Sequence, residues 1–303
     1  EILKNKYNMK PLTVTWAPHL YTDVGWKNFQ SWCRTGVDNI LVTPNYKIHS
    51  KLTSLAFKNL VNPFQPFIIG QKICAPKIAL KYGIKLIMYG ENNSEARGFY
   101  KENLKPEMDI KHFTRKNKKS KLFFGGLSLK KLKKENINVR DLDIYIPPLE
   151  ETIKKNKIVI HFMSYYKKWS PQENYYFSKK NSDFQTNIDG RSEGTYSKFS
   201  SLDDKIDGQH YFTMYIKFGQ GRAMNDACRD IRDGFITRKE ALLLMKKYDG
   251  EFPKKYFKEF LKYINITEKE YWRIIDKARP KHLWKKKAGK WILKKKVWQE
   301  NVK

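Results

Sequence analysis

The segment between residues 193 and 222 concentrates side chains that could bind an anionic sugar and transfer a proton. It contains the carboxylates of Asp204 and Asp207, the imidazole of His210 and the guanidinium of Arg222, with the phenol of Tyr196 upstream. Carboxylates and imidazoles act as general acids and bases when a fold holds them near a reacting group. The alternative is a hydrogen-bonded network that only supports the structure. We predict that this segment forms a substrate-binding site.

A second group of polar residues follows an apolar run at residues 84–89, which we interpret as a buried strand. Gly90, Glu91 and Asn92 come directly after this run. Ligands of open parallel sheets bind outside the carboxyl ends of the strands, and a glycine there lets the backbone approach a ligand closely. The carboxylate of Glu91 is a candidate ligand for Mg²⁺ on a polyphosphate. An ordinary turn would also explain these residues.

Two weaker motifs precede it. The first is Trp16-Ala17-Pro18-His19 at the end of a β-branched run, where a packed tryptophan and a solvated histidine are an equally good explanation. The second is Gly70-Gln71-Lys72, in which a lysine beside a glycine could contact phosphate. The chain contains no GxSxG, HExxH, Walker A or GxGxxG motif, which weighs against hydrolases with a nucleophile elbow and zinc proteases.

Composition limits the partners. The chain has 303 residues and a formal net charge of +30, which often indicates a nucleic-acid partner. Only 11 of the 61 basic residues are arginine, and the lysine runs are scattered, so base reading by bidentate arginine is disfavoured. We therefore predict an anionic small-molecule substrate and favour it over a nucleic-acid partner.

The remaining composition favours a cytoplasmic protein with no membrane partner. No run of apolar residues is long enough for a membrane span, and the first residues lack the apolar core of a signal peptide. Cys33, Cys74 and Cys228 are widely spaced, as is typical of structural thiols in a reducing compartment.

The pattern of the chain predicts an α/β fold. Apolar β-branched runs at 12–16, 39–43, 84–89 and 158–166 alternate with helical patterns at 26–35 and 48–61 and a further helix that leads to residue 84. Capping-box spacings at Thr237/Glu240 and Thr267/Glu270 mark helices near the carboxyl terminus. We expect an α/β nucleotide-binding core over residues 1–165. Residues 166–303 should form an aromatic and acidic substrate segment followed by a helical cap.

These motifs together resemble the N-acetyl sugar amidotransferases, which include the pseudaminic acid enzymes of flagellin glycosylation and their lipopolysaccharide counterparts. The matching stretches are PLTVTWAPHLYTDVGWKNFQSW, NPFQPFIIGQK, YGEN, YYKKWSPQENY, EGTYSKFSSLDDKIDGQHYF, KFGQGRAMNDACRDIRDG and the region from YDGEFP to HLW. The family is similar to the PP-loop ATP pyrophosphatases. The resemblance therefore implies a Rossmann-like parallel sheet of the adenine nucleotide alpha hydrolase type.

The resemblance also implies a reaction. ATP with Mg²⁺ would adenylate the N-acetyl oxygen of a sugar acid, and ammonia from a glutaminase partner would displace AMP and leave an acetamidino group. The nucleotide side of the pocket would comprise Trp16, Gly70, Gln71, Lys72, Gly90, Glu91 and Asn92, with Glu91 also as metal ligand. The sugar side would comprise Tyr196, Asp204, Asp207, His210 and Arg222.

One family feature is not in the sequence. The SGGKDS phosphate loop would lie just before Glu1, and a cysteine-rich zinc element would lie before that loop, so we expect an amino-terminally truncated chain. Two other classes remain open: a PP-loop enzyme that modifies transfer RNA, and a non-catalytic subunit of a glycan-assembly complex.

Overall fold

The computed structural model describes residues 1–90 and 105–299. Strand β1 (Leu12–Trp16) is followed by helix α1 (Asp23–Arg34) and strand β2 (Asp38–Val42). The two strands pair in parallel from Leu12↔Asp38 to Trp16↔Val42. This is the βαβ unit that the sequence predicts, and both strand predictions are confirmed to within one residue.

The next unit contains two long helices and a second parallel pair. Helix α2 (Tyr46–Leu60) and helix α3 (Gln65–Tyr82) lead to strand β3 (Leu86–Tyr89). A small hairpin of β4 (Phe123–Phe124) and β5 (Leu127–Ser128), helix α4 (Leu129–Lys134) and helix α5 (Glu150–Lys155) come before β6 (Val159–Phe162), which pairs in parallel with β3.

Two of the strand predictions need correction in this unit. The strand predicted at 84–89 begins only at Leu86, and it is not fully buried, since Leu86 is 38% exposed. The strand predicted at 158–166 ends at Phe162, and helix α6 (Met163–Tyr166) follows it at once.

A single Rossmann-like sheet is not confirmed. Within the described residues, β1–β2 and β3–β6 form separate two-stranded sheets. Helix α3 contacts both pairs: its Gly70 lies against the indole of Trp16 at the end of β1, and the hydroxyl of Tyr89 in β3 donates to the carbonyl of Gln71 at 3.0 Å. The architecture is therefore a mixed α/β fold that is organised around α3.

The rest of the chain is mainly helical. The helices are α7 (Pro171–Asn181), α8 (Asp207–Phe218), α9 (Arg222–Asp233), α10 (Arg238–Tyr248), α11 (Phe257–Ile264) and α12 (Glu268–Lys277). The capping box of Thr237 and Glu240 is confirmed. At Thr267 the side chain caps α12 by accepting from the Glu270 amide, which is half of the predicted box. The strands β7 (Trp284–Lys287) and β8 (Lys290–Leu293) form an antiparallel hairpin that the sequence analysis does not anticipate.

These helices pack on the α/β part through one hydrophobic cluster. Phe57 of α2 stacks on Tyr271 of α12, with ring centroids 5.2 Å apart, and Phe260 of α11 meets the same Phe57 edge-on. All three side chains are fully buried. The helical region is thus joined to the α/β part by a shared core, and the predicted boundary at residue 165 stays a prediction.

Candidate functional site

The site begins at the carboxyl end of β1, where a carboxylate from the distant acidic segment is anchored. One oxygen of Asp204 accepts from the backbone amide of His19 at 2.8 Å and lies 2.7 Å from its Nδ1. The other oxygen accepts from the amide of Ile206 at 2.9 Å. Both Asp204 and His19 are buried. Asp204 therefore fastens the 203–210 segment to the end of β1.

The same contact is reinforced at the start of α1. The amide of Thr22 donates to the carbonyl of Asp203 at 3.1 Å, and the Thr22 hydroxyl accepts from the amide of Gly25 at 2.9 Å. A Cβ at Gly25 would lie 2.5 Å from the Cα of Asp203. Glycine at this position is what lets the two backbones meet.

Two imidazoles are stacked behind Asp204. The rings of His19 and His49 have centroids 4.6 Å apart, and Nδ1 of His49 lies 2.6 Å from the hydroxyl of Tyr145. Burial lowers the pKa of His49 to about 2, and the neighbouring His19 adds to that lowering. In the described part of the chain, Nε2 of each histidine is buried without a hydrogen-bond partner. His49 is therefore held neutral, and sequence reasoning missed it because nothing in its local pattern distinguishes it from a helix residue.

His210 of α8 packs against the same group of rings through Phe64. The ring of Phe64 lies 4.8 Å from that of His210 and 4.8 Å from that of His19. The acidic segment and the end of β1 therefore face one another across a single aromatic ring. Glu91, through which the sequence analysis connects the nucleotide side to the sugar side, lies outside the described residues, so the predicted shared pocket stays a prediction.

Asp207 and Arg222 form a second charged group beside this contact. Burial raises the pKa of Asp207 to about 7, against a lowering by Arg222. Arg222 donates from Nη1 to the hydroxyl of Tyr211 at 2.6 Å and from Nε to both oxygens of Asp226 at 2.9 Å. A carboxyl group with a pKa near neutrality is suited to proton transfer.

An open cleft of about 350 Å³ lies beside Asp204, whereas His19, His49, Asp207, His210 and Arg222 are not among its lining residues. It is formed by the start of α1, the 187–193 loop, the 201–208 segment and the 253–256 loop, and Asp204 forms part of its wall. Its lining residues are Thr22, Asp23, Val24, Asn187, Ile188, Asp189, Arg191, Ser192, Glu193, Ser201, Leu202, Asp204, Lys205, Gly208, Pro253, Lys255 and Tyr256.

The cleft combines charged side chains of both signs with one aromatic ring. The ammonium groups of Lys205 and Lys255 lie 5.4 and 5.1 Å from the ring centroid of Tyr256. Arg191 is held by a bidentate pair with Glu251, at 2.6 and 3.0 Å. The cleft is also lined by acidic residues, one of which pairs with the Lys255 ammonium: Asp23, Asp189, Glu193 and Asp204, with Asp189 as the partner of Lys255. Charged groups of both signs and an aromatic ring in an open cleft are suited to a polar ligand with charged substituents.

Sequence reasoning missed most of this cleft. Arg191, Lys255 and Tyr256 lie outside the segment 193–222 that the sequence analysis singled out, and no local pattern marks them as binding residues. Asp204 was predicted, but its partner His19 was assigned to a separate motif because a contact between residues so far apart leaves no local pattern.

The remaining predicted residues lie elsewhere. Tyr196 donates to Asp230 of α9 at 2.5 Å, and Gln71 and Lys72 lie in the middle of α3 beside β3. Gly90 is exposed at the end of β3, whereas Glu91 and Asn92 lie outside the described residues. Their roles stay predictions.

The packing of Gly70 does not fit a close approach of a polyphosphate to its backbone. A Cβ at Gly70 would lie 2.1 Å from the Trp16 ring, so this glycine is explained by helix-to-strand packing. Amides in the middle of a helix are already bonded within it and cannot form an anion cradle. In the described ranges, no group of three or more His, Cys, Asp or Glu side chains is arranged to hold a metal.

Residues 193–298 match the family model described as LPS biosynthesis protein WbpG-like, C-terminal domain. The matched region begins before α8, ends shortly after the β7–β8 hairpin, and includes Lys205, Lys255 and Tyr256 of the cleft. It associates this part of the chain with the biosynthesis of lipopolysaccharide or a related glycan. A search of curated proteins found no match to the chain. Among the described helices, none is both long and apolar enough to cross a membrane.

Proposed function

We propose that the protein is an ATP-dependent amidotransferase of glycan biosynthesis, which converts the N-acetyl group of a sugar acid to an acetamidino group. The observation that supports this most directly is the overlap between the cleft beside Asp204, which we call the sugar cleft, and the region matched to the WbpG-like domain. Pseudaminic acid is the first substrate to test, since the sequence resembles the pseudaminic acid enzymes.

The cleft suggests how the sugar would bind. The carboxylate of the sugar acid would be met by Lys205 and by Lys255, whose ammonium is shared with Asp189, while the face of the ring would pack against Tyr256. The side chain of Asn187, which lines the same cleft, can bond hydroxyl groups. Asp207 lies behind the wall at Gly208, where its raised pKa would let it exchange a proton near neutral pH.

An amide oxygen is a poor leaving group, which is why the proposed reaction includes ATP. The backbone amides of Gly70, Gln71 and Lys72 lie inside α3 and form no phosphate cradle, so this proposal assigns them no step with the nucleotide. Ammonia would come from a glutaminase partner, as in the family that the sequence resembles.

Sugar binding can be measured apart from catalysis. Isothermal titration with pseudaminic acid and with N-acetylneuraminic acid should show binding, and Lys205→Gln with Lys255→Gln should weaken it about tenfold or more, because two charge-assisted contacts are lost. Lys269→Gln with Lys258→Gln, two exposed lysines outside the cleft, removes the same charge and should leave binding unchanged. Equal weakening in both pairs would show that the cleft is not the sugar site.

Catalysis needs its own assay. The complete protein, with ATP, Mg²⁺, ammonia and the sugar acid, should release AMP in a sugar-dependent manner. If it binds the sugar acid and releases no AMP, the amidotransferase proposal fails while the sugar site stands.

A second candidate is an enzyme that modifies RNA, which the β7–β8 hairpin favours. Lys285, Lys286 and Lys287 are exposed on β7, and Lys290 faces Lys287 across the turn. A salt-sensitive gel shift with transfer RNA, lost when these lysines are changed to glutamine, would support it. Indifference to RNA would remove it.

A further inference from the structure

A second pocket, of about 290 Å³, lies between residues 164–169, at α6 and the segment that follows it, and the last turns of α9. It is lined by Ser164, Lys168, Trp169, Arg229, Arg232 and Asp233, and we call it the cationic pocket. None of these residues lines the sugar cleft. The pocket therefore needs an explanation of its own.

Arg229 forms the buried floor of the cationic pocket. Only 9% of the residue is exposed. Its Nη2 donates to Asp226 at 2.6 Å, and its guanidinium lies 5.4 Å from the ring centroid of Trp169. In the described part of the chain, the buried Nε has no hydrogen-bond partner. A buried guanidinium with a single carboxylate contact is poorly compensated for the water that it has lost.

Positive charge exceeds negative charge around Arg229. Lys168 and the exposed Arg232 add two cations at the mouth, and the acid that lines the pocket is Asp233, whose carboxylate lies 3.2 Å from the Lys168 ammonium. Asp226 does not neutralise Arg229 alone, because it also binds Nε of Arg222 at 2.9 Å. The lining residues thus carry a formal excess of positive charge.

We propose that the cationic pocket binds the phosphate group of a small-molecule ligand. Two guanidinium groups and an ammonium offer donors from several directions, which suits the tetrahedral oxygens of a phosphate dianion better than the two oxygens of a carboxylate. The cavity has room for the phosphate and part of the group attached to it. This assignment does not depend on the amidotransferase proposal, since it uses other residues.

The test is isothermal titration of the full chain, at constant ionic strength, with inorganic phosphate, glucose 1-phosphate and acetate. Phosphate should bind, and acetate should bind at least about tenfold more weakly. The double variant Lys168→Gln with Arg232→Gln should weaken phosphate binding about tenfold or more. The matched control is Lys269→Gln with Arg273→Gln on α12, two exposed residues that do not line the pocket, and it should bind as the wild type does.

The two phosphate probes distinguish the source of the group. Tighter binding of glucose 1-phosphate would assign the pocket to a phosphorylated sugar, and equal binding would assign it to phosphate itself. Absence of phosphate binding, or equal loss in the control variant, would overturn the proposal. Should the double variant fail to fold, Lys168→Gln alone carries the comparison, because that side chain is 60% exposed.

Discussion

The neutral imidazole of His49 should make the protein sensitive to acid in a measurable way. An ordinary histidine has a pKa of about 6.5, whereas burial lowers that of His49 to about 2. Below pH 6.5 the His49 imidazole therefore binds a proton in the unfolded chain but stays neutral in the folded protein. Its contribution to stability is complete above pH 6.5 and is lost as the pH falls below that value.

The size of the effect follows from linkage. Each pH unit below 6.5 costs about 1.4 kcal/mol of unfolding free energy while the folded ring stays neutral, so the loss between pH 7.5 and pH 5.0 is about 2 kcal/mol. Substitution His49→Gln removes this titration and keeps a neutral group that can bond the hydroxyl of Tyr145.

The assay is urea unfolding of wild type and His49→Gln at pH 7.5 and pH 5.0, followed by circular dichroism. The wild type should lose about 2 kcal/mol more than the variant over this interval. His282→Gln, at an exposed histidine, is the control and should follow the wild type. The titration of Asp207 has the opposite sign but is present in all three proteins, so it cancels. Parallel losses in wild type and His49→Gln would refute the reasoning.

Three further predictions concern residues around the site. Burial raises the pKa of Asp207, so the contribution of its protonated carboxyl to folding stability is present at acid pH and is lost as the pH rises through about 7. Between pH 5 and pH 8 the wild type should therefore lose about 3 kcal/mol of unfolding free energy relative to Asp207→Asn. Gly70→Ala would place a methyl group 2.1 Å from the Trp16 ring and should cost about 1–3 kcal/mol by thermal unfolding, whereas Gly90→Ala, with no atom within 4 Å, should cost much less. Asp204→Ala would leave a buried histidine and backbone amides without their acceptor, and urea unfolding should reveal a loss of several kcal/mol; a loss below about 1 kcal/mol would contradict its anchoring role.

Local patterns were enough to place most of the elements near the site. The β-branched run at 12–16 and the apolar run at 39–43 are strands because their periodicity and flanking residues are local properties of the chain. The helix that begins after Thr237 was predicted for the same reason, since a capping box involves residues three positions apart. The shortening of the 84–89 strand and the hairpin at 284–293 depend on pairing and packing partners, so the pattern alone did not give them.

The candidate site likewise has features that the sequence could predict and features that it could not. From the sequence alone we could name Asp204, Asp207, His210 and Arg222 as chemically capable, because residue type is written in the chain. Only the tertiary structure joins Asp204 to His19 at the end of β1, and only burial gives Asp207 its raised pKa.

Contacts between distant parts of the chain and the removal of water are properties of the folded state. Packing in the folded state explains Gly70 by its contact with Trp16. The same packing places Lys255 and Tyr256 in a cleft whose other wall carries Asp204. The sequence determined which chemistry is available, and the packing of the helices decided where it can act.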